Sequence, residues 1–247
     1  MSNAAVSELA WGTLGSPVGE ISVACSAAGL VEVRFGPPPA GVVNAITGAR
    51  ARQTETPCPR PRAAEQAAAP EEAHGKSSGA PEEPGPPGGP DARGEPDGAH
   101  GEPGAHGELG GARRQVERAC SQLGEYFAGQ RRSFDLPVDW SGMSASQRQV
   151  LPVLLASTGY GETVTYGDLS RRADVADGGK LPAARVTGQI MGSNPCPIVV
   201  PCHRVVAGDG LGGYSGGAGI EIKRWLLILE GALPPTLDWD PAGPGGI

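Results

Sequence analysis

Residues 37–112 contain no Phe, Trp or Tyr, and 28 of these 76 positions are Gly or Pro. Tracts such as Pro81-Glu-Glu-Pro-Gly-Pro-Pro-Gly-Gly-Pro90 and the near-repeat from Gly94 to His106 cannot bury enough apolar surface to offset the entropy of ordering a chain. The segment is therefore expected to be a disordered insert, dispensable for chemistry. About 170 residues are left to fold, enough for two compact domains. Three of the four histidines (His74, His100 and His106) fall in the insert, where solvated spacer residues are the simpler reading than weak metal ligands.

The remainder reads as two blocks. In the first, Ser16-Pro-Val-Gly-Glu-Ile-Ser-Val-Ala-Cys25 and Gly29-Leu-Val-Glu-Val-Arg-Phe35 alternate apolar and polar positions around Ser26-Ala-Ala, which predicts a β-hairpin. Val116, Cys120, Leu123 and Phe127 recur at helical spacing over 113–127, with Gly129 as the stop. The run 134–139 is an extended exit. In the second block, Ser144 or Ser146 caps a helix through Val150, Leu151, Leu154 and Leu155. Pro152 must kink that helix or mark its first turn. Two short helices, one near 166–170 and one at 182–191, are joined by a Gly-Gly-Lys loop, a weak helix-turn-helix pattern. A last helix over 220–229 turns Trp225, Leu226 and Leu229 inward and stops at Gly231.

The chemistry concentrates in Asn194-Pro-Cys-Pro-Ile-Val-Val-Pro-Cys202-His203-Arg-Val-Val206, which sets a cysteine beside the one histidine outside the insert. A free thiol has a pKa of roughly 8.5 and needs a base or a positive neighbour to become a useful thiolate. Ile198-Val199-Val200 reads as a short buried strand whose end would hold Cys202 rigidly. The pair is also compatible with a structural buried cysteine. A zinc corner built from Cys196, Cys202 and His203 is a further reading, although no fourth ligand sits at ordinary spacing. Glu230 ends the last helix, where the macrodipole disfavours a carboxylate. Either a cationic tertiary partner compensates it or it faces solvent.

Five cysteines without a CxxC pair, and the lack of a membrane-spanning apolar run or a signal pattern, point to a reducing, cytoplasmic setting. The net charge of -7 argues against charge-driven nucleic-acid binding, but 11 acidic against 6 basic residues in 37–112 account for most of it. The folded part is close to neutral, so local basic patches remain open to it.

The Asn-Pro-x-Pro-Ile-x-x-Pro-Cys-His-Arg-Val-Val run resembles the O6-alkylguanine-DNA alkyltransferases, the methylated-DNA–protein-cysteine methyltransferases. So do Leu211-Gly-Gly-Tyr214-Ser215-Gly-Gly and Lys223-x-Trp-Leu-Leu-x-x-Glu230-Gly. The likeness is close over 150–232 and looser at Ser16-Pro-Val-Gly and Gln122-Leu-Gly-Glu-Tyr-Phe-Ala-Gly129. It implies an α/β (α+β) protein: a small ribonuclease-H-like N-terminal domain over 8–140, interrupted by the insert, and a helical, winged-helix-like C-terminal domain over 141–235. Residues 236–247 would be a flexible tail.

The resemblance implies irreversible transfer of an alkyl group from O6-methylguanine, and less efficiently O4-methylthymine, to Cys202. His203 would act as base through a water, Glu230 would orient and charge-balance the imidazole, and Asn194 would hold the turn. Tyr166, Tyr214, Ser215 and Val206 would contact the substrate base. A base inside a duplex cannot present its O6 substituent to a thiolate, so it must be flipped out. Arg185 matches the residue that fills the vacated stack, on a helix lying in the minor groove with Ala183, Ala184 and Gly188 allowing close approach. For Arg185 alone, a phosphate contact or plain surface charge would also serve. No metal or cofactor is implied, and the partner is double-stranded DNA bound by a monomer. An alkyltransferase-like protein that only binds lesions is the alternative; such relatives replace the cysteine that is intact here. Between Gly217 and Lys223 the chain carries two residues more than the family pattern, so no role is carried to Lys223.

Overall fold

The computed structural model describes residues 9–42, 46–47, 105–177, 179–214 and 219–236, all within one compact unit. Most of the insert and the 237–247 tail, with the expectations placed on them, lie outside the described residues. Three strands lead the chain: β1 (Ala10–Ser16), β2 (Gly19–Ser26) and β3 (Gly29–Phe35). They form an antiparallel meander, with β1 and β2 in continuous register from Ala10↔Cys25 to Ser16↔Gly19. The β2–β3 pairing is the hairpin legible in the sequence. β1 was not legible, because its Gly12 and Gly15 dilute the strand composition. A two-residue strand, β4 (Ile46–Thr47), pairs parallel to the outer side of β1, giving the order β3-β2-β1-β4 of a ribonuclease-H-like sheet.

The centre of this sheet is dry. In β2 the run Ile21, Ser22, Val23, Ala24 and Cys25 is buried on both faces, while edge-ward β1 alternates buried and half-buried positions. Helix α1 (Ala105–Phe127) covers one face. Its buried residues Ala112, Val116, Ala119, Leu123 and Tyr126 recur every three or four positions, the stripe a helix needs to lie on a sheet. Gly129, at φ +70, ends it with an N–H to the Tyr126 carbonyl at 2.9 Å. Helix α1 begins at Ala105 and Ile46–Thr47 pair with β1, so ordered elements reach into the 37–112 stretch from both sides. A spacer deletion must therefore spare 46–47 and 105–112.

The extended 134–139 segment then docks on the edge of β3. Leu30 N–H donates to Pro137 O, and Asp139 N–H donates to Leu30 O, both at 2.8 Å. Helix α2 (Ala145–Ser157) opens with a capping box, Ser144 with Gln147, and Gln147 Nε2 reaches on to Ser193 O at 2.6 Å. Pro152 lies inside α2 rather than in its first turn, and Leu155 is exposed. Packing of Val150, Leu151 and Leu154 holds the helix through the proline.

Helices α3 (Tyr166–Arg172) and α4 (Ala183–Gly192) pack together as the helix-turn-helix. Thr165 caps α3, and Asp177 from the intervening loop accepts the first free N–H of α4, Ala183 N, at 2.7 Å. Strands β5 (Val164–Thr165) and β6 (Val205–Val206) pair in parallel, and α5 (Ile220–Leu229) closes the C-terminal core with Trp225 and Leu226 buried. Among the described residues no helix is long and apolar enough to cross a membrane.

Gly29 combines φ +149 with a backbone approach so close that a Cβ would overlap the Pro137 carbonyl. Gly29→Ala is expected to lower unfolding free energy by roughly 2 kcal/mol or more, through strain plus loss of the β3 docking contacts. Chemical denaturation of the two proteins side by side measures this directly.

Candidate active site

The Asn194-to-Val206 run does not form the strand expected at 198–200. Pro195, Pro197 and Pro201 remove N–H donors that a ladder would need, and Ile198 takes φ +74, a costly conformation for a β-branched residue. Asn194 over-determines this turn. Its Oδ1 accepts from Cys196 N at 3.0 Å, and its Nδ2 donates to Val200 O at 2.9 Å. Val200 N–H bonds back to Cys196 O at 2.8 Å. The apolar Ile198, Val199 and Val200 are buried as expected, but as a folded knot. Pro201 then makes a tight reverse turn, Cys202 N–H donating to Val200 O at 2.8 Å, and Cys202–Arg204 form one turn of 3-10 helix.

β3 buttresses this knot: Val33 N–H donates to Pro195 O at 2.8 Å, and the Cys196 thiol lies 3.3 Å from Val31 O. Cys196 is thus structural, with its pKa pushed far up by burial and by neighbouring anionic groups. Among the described residues no group of three or more His, Cys, Asp or Glu could hold a metal ion, so the Cys196–Cys202–His203 zinc corner is not formed.

Cys202 lies 5% exposed on the wall of a cavity of about 300 Å³. Met191, Asn194, Pro197 and Tyr214 share that wall, and Glu32 to Phe35 of β3 face it from the sheet. Burial raises the thiol pKa. The Asn194 side chain, the Lys223 charge, its own backbone N–H and the Tyr214 hydroxyl oppose that rise. The Tyr214 hydroxyl is buried without an oxygen or nitrogen partner.

The His203 ring turns the other way. Its Nε2 lies 2.9 Å from Glu230 Oε1, both side chains fully buried, and its Nδ1 has no hydrogen-bond partner among the described residues. Because Glu230 is an acceptor, Nε2 carries the proton and Nδ1 keeps a free lone pair. Burial, more than any other influence, holds the imidazole pKa below 6.5. The nearby Arg204 and Lys223 add to it against the pull of Glu230.

Glu230 sits at the end of α5 as read from the sequence, and it has the cationic partner its position called for. Arg204 clamps both carboxylate oxygens (Nε to Oε2 at 2.8 Å, Nη2 to Oε1 at 2.9 Å) and donates Nη1 to Thr158 O at 2.8 Å. Tyr126 Oη adds a third donor on Oε1 at 2.7 Å. Gly161 N approaches Oε2 at 3.4 Å, where φ +76 and a would-be Cβ 2.9 Å from the Glu230 carbonyl require glycine. Burial opposes the charge, but His203 and Arg204 together outweigh it and bring the carboxyl down to about 2.

Three functional groups escaped the sequence reading: Arg204, Tyr126 and Lys223. Arg204 stood within the Pro-Cys-His-Arg motif, and its inward turn follows only from the 3-10 geometry. Lys223 is fully buried despite the longer loop. Its Nζ donates to Val205 O at 2.6 Å, Leu211 O at 2.5 Å and Gly213 O at 3.2 Å, and burial lowers its pKa to about 8. It pins the loop carrying Tyr214 beside Cys202.

Of the remaining expected residues, Tyr166 donates its hydroxyl to Gly213 O at 3.1 Å, and Val206 pairs with Thr165 next to it. Ser215 lies outside the described residues. On α4, Thr187, Ile190 and Met191 are buried while Arg185 and Gln189 share the exposed face. Ala183, Ala184 and Gly188 are half-buried, and a methyl on Gly188 would touch the Tyr166 ring at 3.8 Å.

A buried cysteine next in the chain to a buried histidine–carboxylate pair, in the same part of the fold as a helix-turn-helix, is the constellation of a nucleophilic transferase beside a DNA-binding element. The family model described as "6-O-methylguanine DNA methyltransferase, DNA binding domain" matches residues 145–232. The methylated-DNA–protein-cysteine methyltransferase of Methanopyrus kandleri is 45% identical over 113 residues, 45% of this chain and 78% of that protein. That of Mycolicibacterium paratuberculosis is 44% identical over 118 residues, 47% of this chain and 66% of that protein. Mycobacterium tuberculosis OGT, solved in complex with DNA, superposes with a TM-score of 0.52 at 26% identity, over 89% of this chain and 91% of that one. The chain belongs to the methylated-DNA–protein-cysteine methyltransferase family.

The Glu230 cluster fixes a pH dependence of stability. A carboxyl near 4.5 when unfolded and about 2 when folded stabilises the protein above pH 5. By linkage that is worth on the order of 3 kcal/mol, lost as pH falls through the folded value. His203, kept neutral below its ordinary 6.5, works in the same direction: protons favour the unfolded chain as pH drops below that value. Glu230→Gln is expected to lower stability at neutral pH and to flatten the acid loss between pH 5 and 2. Denaturation midpoints measured across that range check both.

Proposed function

We propose that the protein repairs DNA by moving the alkyl group of O6-methylguanine, and more slowly of O4-methylthymine, onto its own Cys202. The observation that carries this reading is a thiol on the wall of a 300 Å³ cavity, next in the chain to a buried His203 whose Nε2 is engaged by Glu230 and whose Nδ1 has no hydrogen-bond partner among the described residues. In the resting site burial keeps Cys202 as the thiol. A water between Cys202 and His203 Nδ1 carries the proton away as the sulfur attacks the O6-alkyl carbon. The C–O bond breaks with its electron pair on the base, and the proton lost by sulfur is restored at the guanine ring nitrogen. Arg204 already balances the Glu230 charge, so Glu230 serves chiefly to fix the imidazole tautomer and ring angle. Of the two roles the resemblance implies for Glu230, orienting the imidazole is thus the one this reading stresses.

The double-stranded DNA partner is met by α4 in the minor groove. Arg185 and Gln189 stand on its exposed face, and Arg185 fills the stack left by the flipped base. Tyr166, Tyr214 and Ser215 hold the base, and the monomer suffices. A thioether is a poor leaving group and nothing near Cys202 regenerates the thiol, so each chain acts once. The intact thiol favours this reading over lesion binding alone.

Mixing the protein with a duplex containing O6-methylguanine should add 14 Da, one methylene by alkyl-for-proton exchange, to the peptide holding Cys202. Repaired lesions should plateau at one per active chain. Unmodified Cys202, or repair continuing past that ratio, refutes the scheme.

Arg185→Ala should slow repair of duplex by roughly tenfold or more, because unstacking a base costs a few kcal/mol. Its reaction with free O6-benzylguanine should stay near wild type. Equal losses on both substrates assign Arg185 a structural role.

A further inference from the structure

Glu230 Oε1 receives three donors: His203 Nε2 at 2.9 Å, Arg204 Nη2 at 2.9 Å and Tyr126 Oη at 2.7 Å. Only the last comes from outside the C-terminal part of the chain. Tyr126 lies in the last turn of α1, a fully buried side chain whose ring is locked by Phe127, Phe134 and Tyr160 at centroid distances of 5.4, 5.4 and 6.2 Å. Its hydroxyl has one hydrogen-bonding task, and it performs that task on the oxygen that also orients the base. We infer that Tyr126 is a positioning residue for alkyl transfer, setting the acceptor strength of Glu230 toward His203 from the sheet-covering helix. This deepens, and rests on, the alkyl-transfer reading.

The physical argument is competition. A carboxylate oxygen offers about two lone-pair directions, so three donors share its charge and each bond is weaker than it would be alone. A donor on the charged form of Glu230 disperses charge that would otherwise stabilise an imidazolium. Tyr126 therefore helps keep His203 neutral, with Nδ1 free to take the thiol proton. The other charged groups acting on the imidazole are Arg204 on its own turn and Lys223 on α5, while Tyr160, packed against Tyr126, has its hydroxyl engaged with Leu229 O at 3.0 Å. None of them can replace the phenol on Oε1. The phenol also fixes where the carboxylate sits, since α5 and α1 reach Oε1 from different parts of the fold.

Tyr126→Phe keeps the ring and removes the donor. With one competitor gone, the His203 Nε2–H bond to Glu230 should tighten. Its proton resonance, assigned by its absence in His203→Gln, should move downfield. The imidazolium should persist to higher pH, so the acid limb of the transfer rate against pH moves to higher pH. The plateau rate should fall by roughly threefold to tenfold, a fraction of what a positioned general base contributes. Incorporating 3-fluorotyrosine at 126 strengthens the same donor with little change in shape, and should move resonance and acid limb the opposite way.

A merely structural Tyr126 would change melting temperature without moving either readout. Coincident resonances and acid limbs for wild type and the fluorotyrosine protein would overturn the inference, even if the Phe variant failed to fold. The resonance needs no DNA. Wild-type protein that leaves the duplex methylated, while the resonance still answers to residue 126, would count against alkyl transfer and for this role of Tyr126.

Discussion

One buried carboxylate organises the C-terminal half of the molecule. Glu230 is 5% exposed, yet it is the common acceptor for groups from α1, from the turn after α2, from the Cys202 turn, and from Arg204 within it. An isolated carboxylate could not remain charged there, because burial alone would neutralise it. Arg204 makes the charge tolerable, and His203 and Tyr126 consume the remaining lone pairs. Removing any one donor leaves the others to redistribute, which is why the cluster behaves as a unit and why its residues come from distant points in the chain.

The thiol is built on the opposite logic. Where Glu230 is saturated with partners, Cys202 is buried with only partial help toward ionisation from Asn194, Lys223 and Tyr214, and burial favours the neutral thiol. Such a cysteine is protected from indiscriminate chemistry until a substrate brings proton transfer and attack together. The strained Ile198, the three prolines and the Asn194 brackets supply the rigidity that aims it. Lys223 extends the same economy to the other wall: one buried ammonium replaces several turn contacts in holding 211–214 against the pocket.

The N-terminal sheet contributes more than a scaffold. β3 pairs with the exit segment at Val138 on one side of Leu30 and donates to the Pro195 carbonyl at Val33, so the nucleophile's loop is braced by the first domain. Through Tyr126 the helix covering that sheet also reaches Glu230, the partner of His203. The two sequence blocks on either side of residue 140 are joined in this respect by direct hydrogen bonds.

The amino-acid sequence by itself determined the parts whose signals are local. The β2–β3 hairpin, the apolar stripe of α1, a serine cap at 144 or 146, the stops at Gly129 and Gly231 and the Asn-Pro-Cys-Pro…Cys-His-Arg run all follow from spacing, turn chemistry and motif. It also posed the right question about Glu230, since a carboxylate at a helix C-terminus calls for a cation. Only the tertiary structure could name Arg204 as that cation, show Tyr126 arriving from a helix 104 residues away, bury Lys223 and turn an apparent strand at 198–200 into a knot. The reason is physical: periodicity reports which face of an element is buried. It does not report which distant polar atom will meet another once the faces close, and in a low-dielectric interior those meetings decide the chemistry.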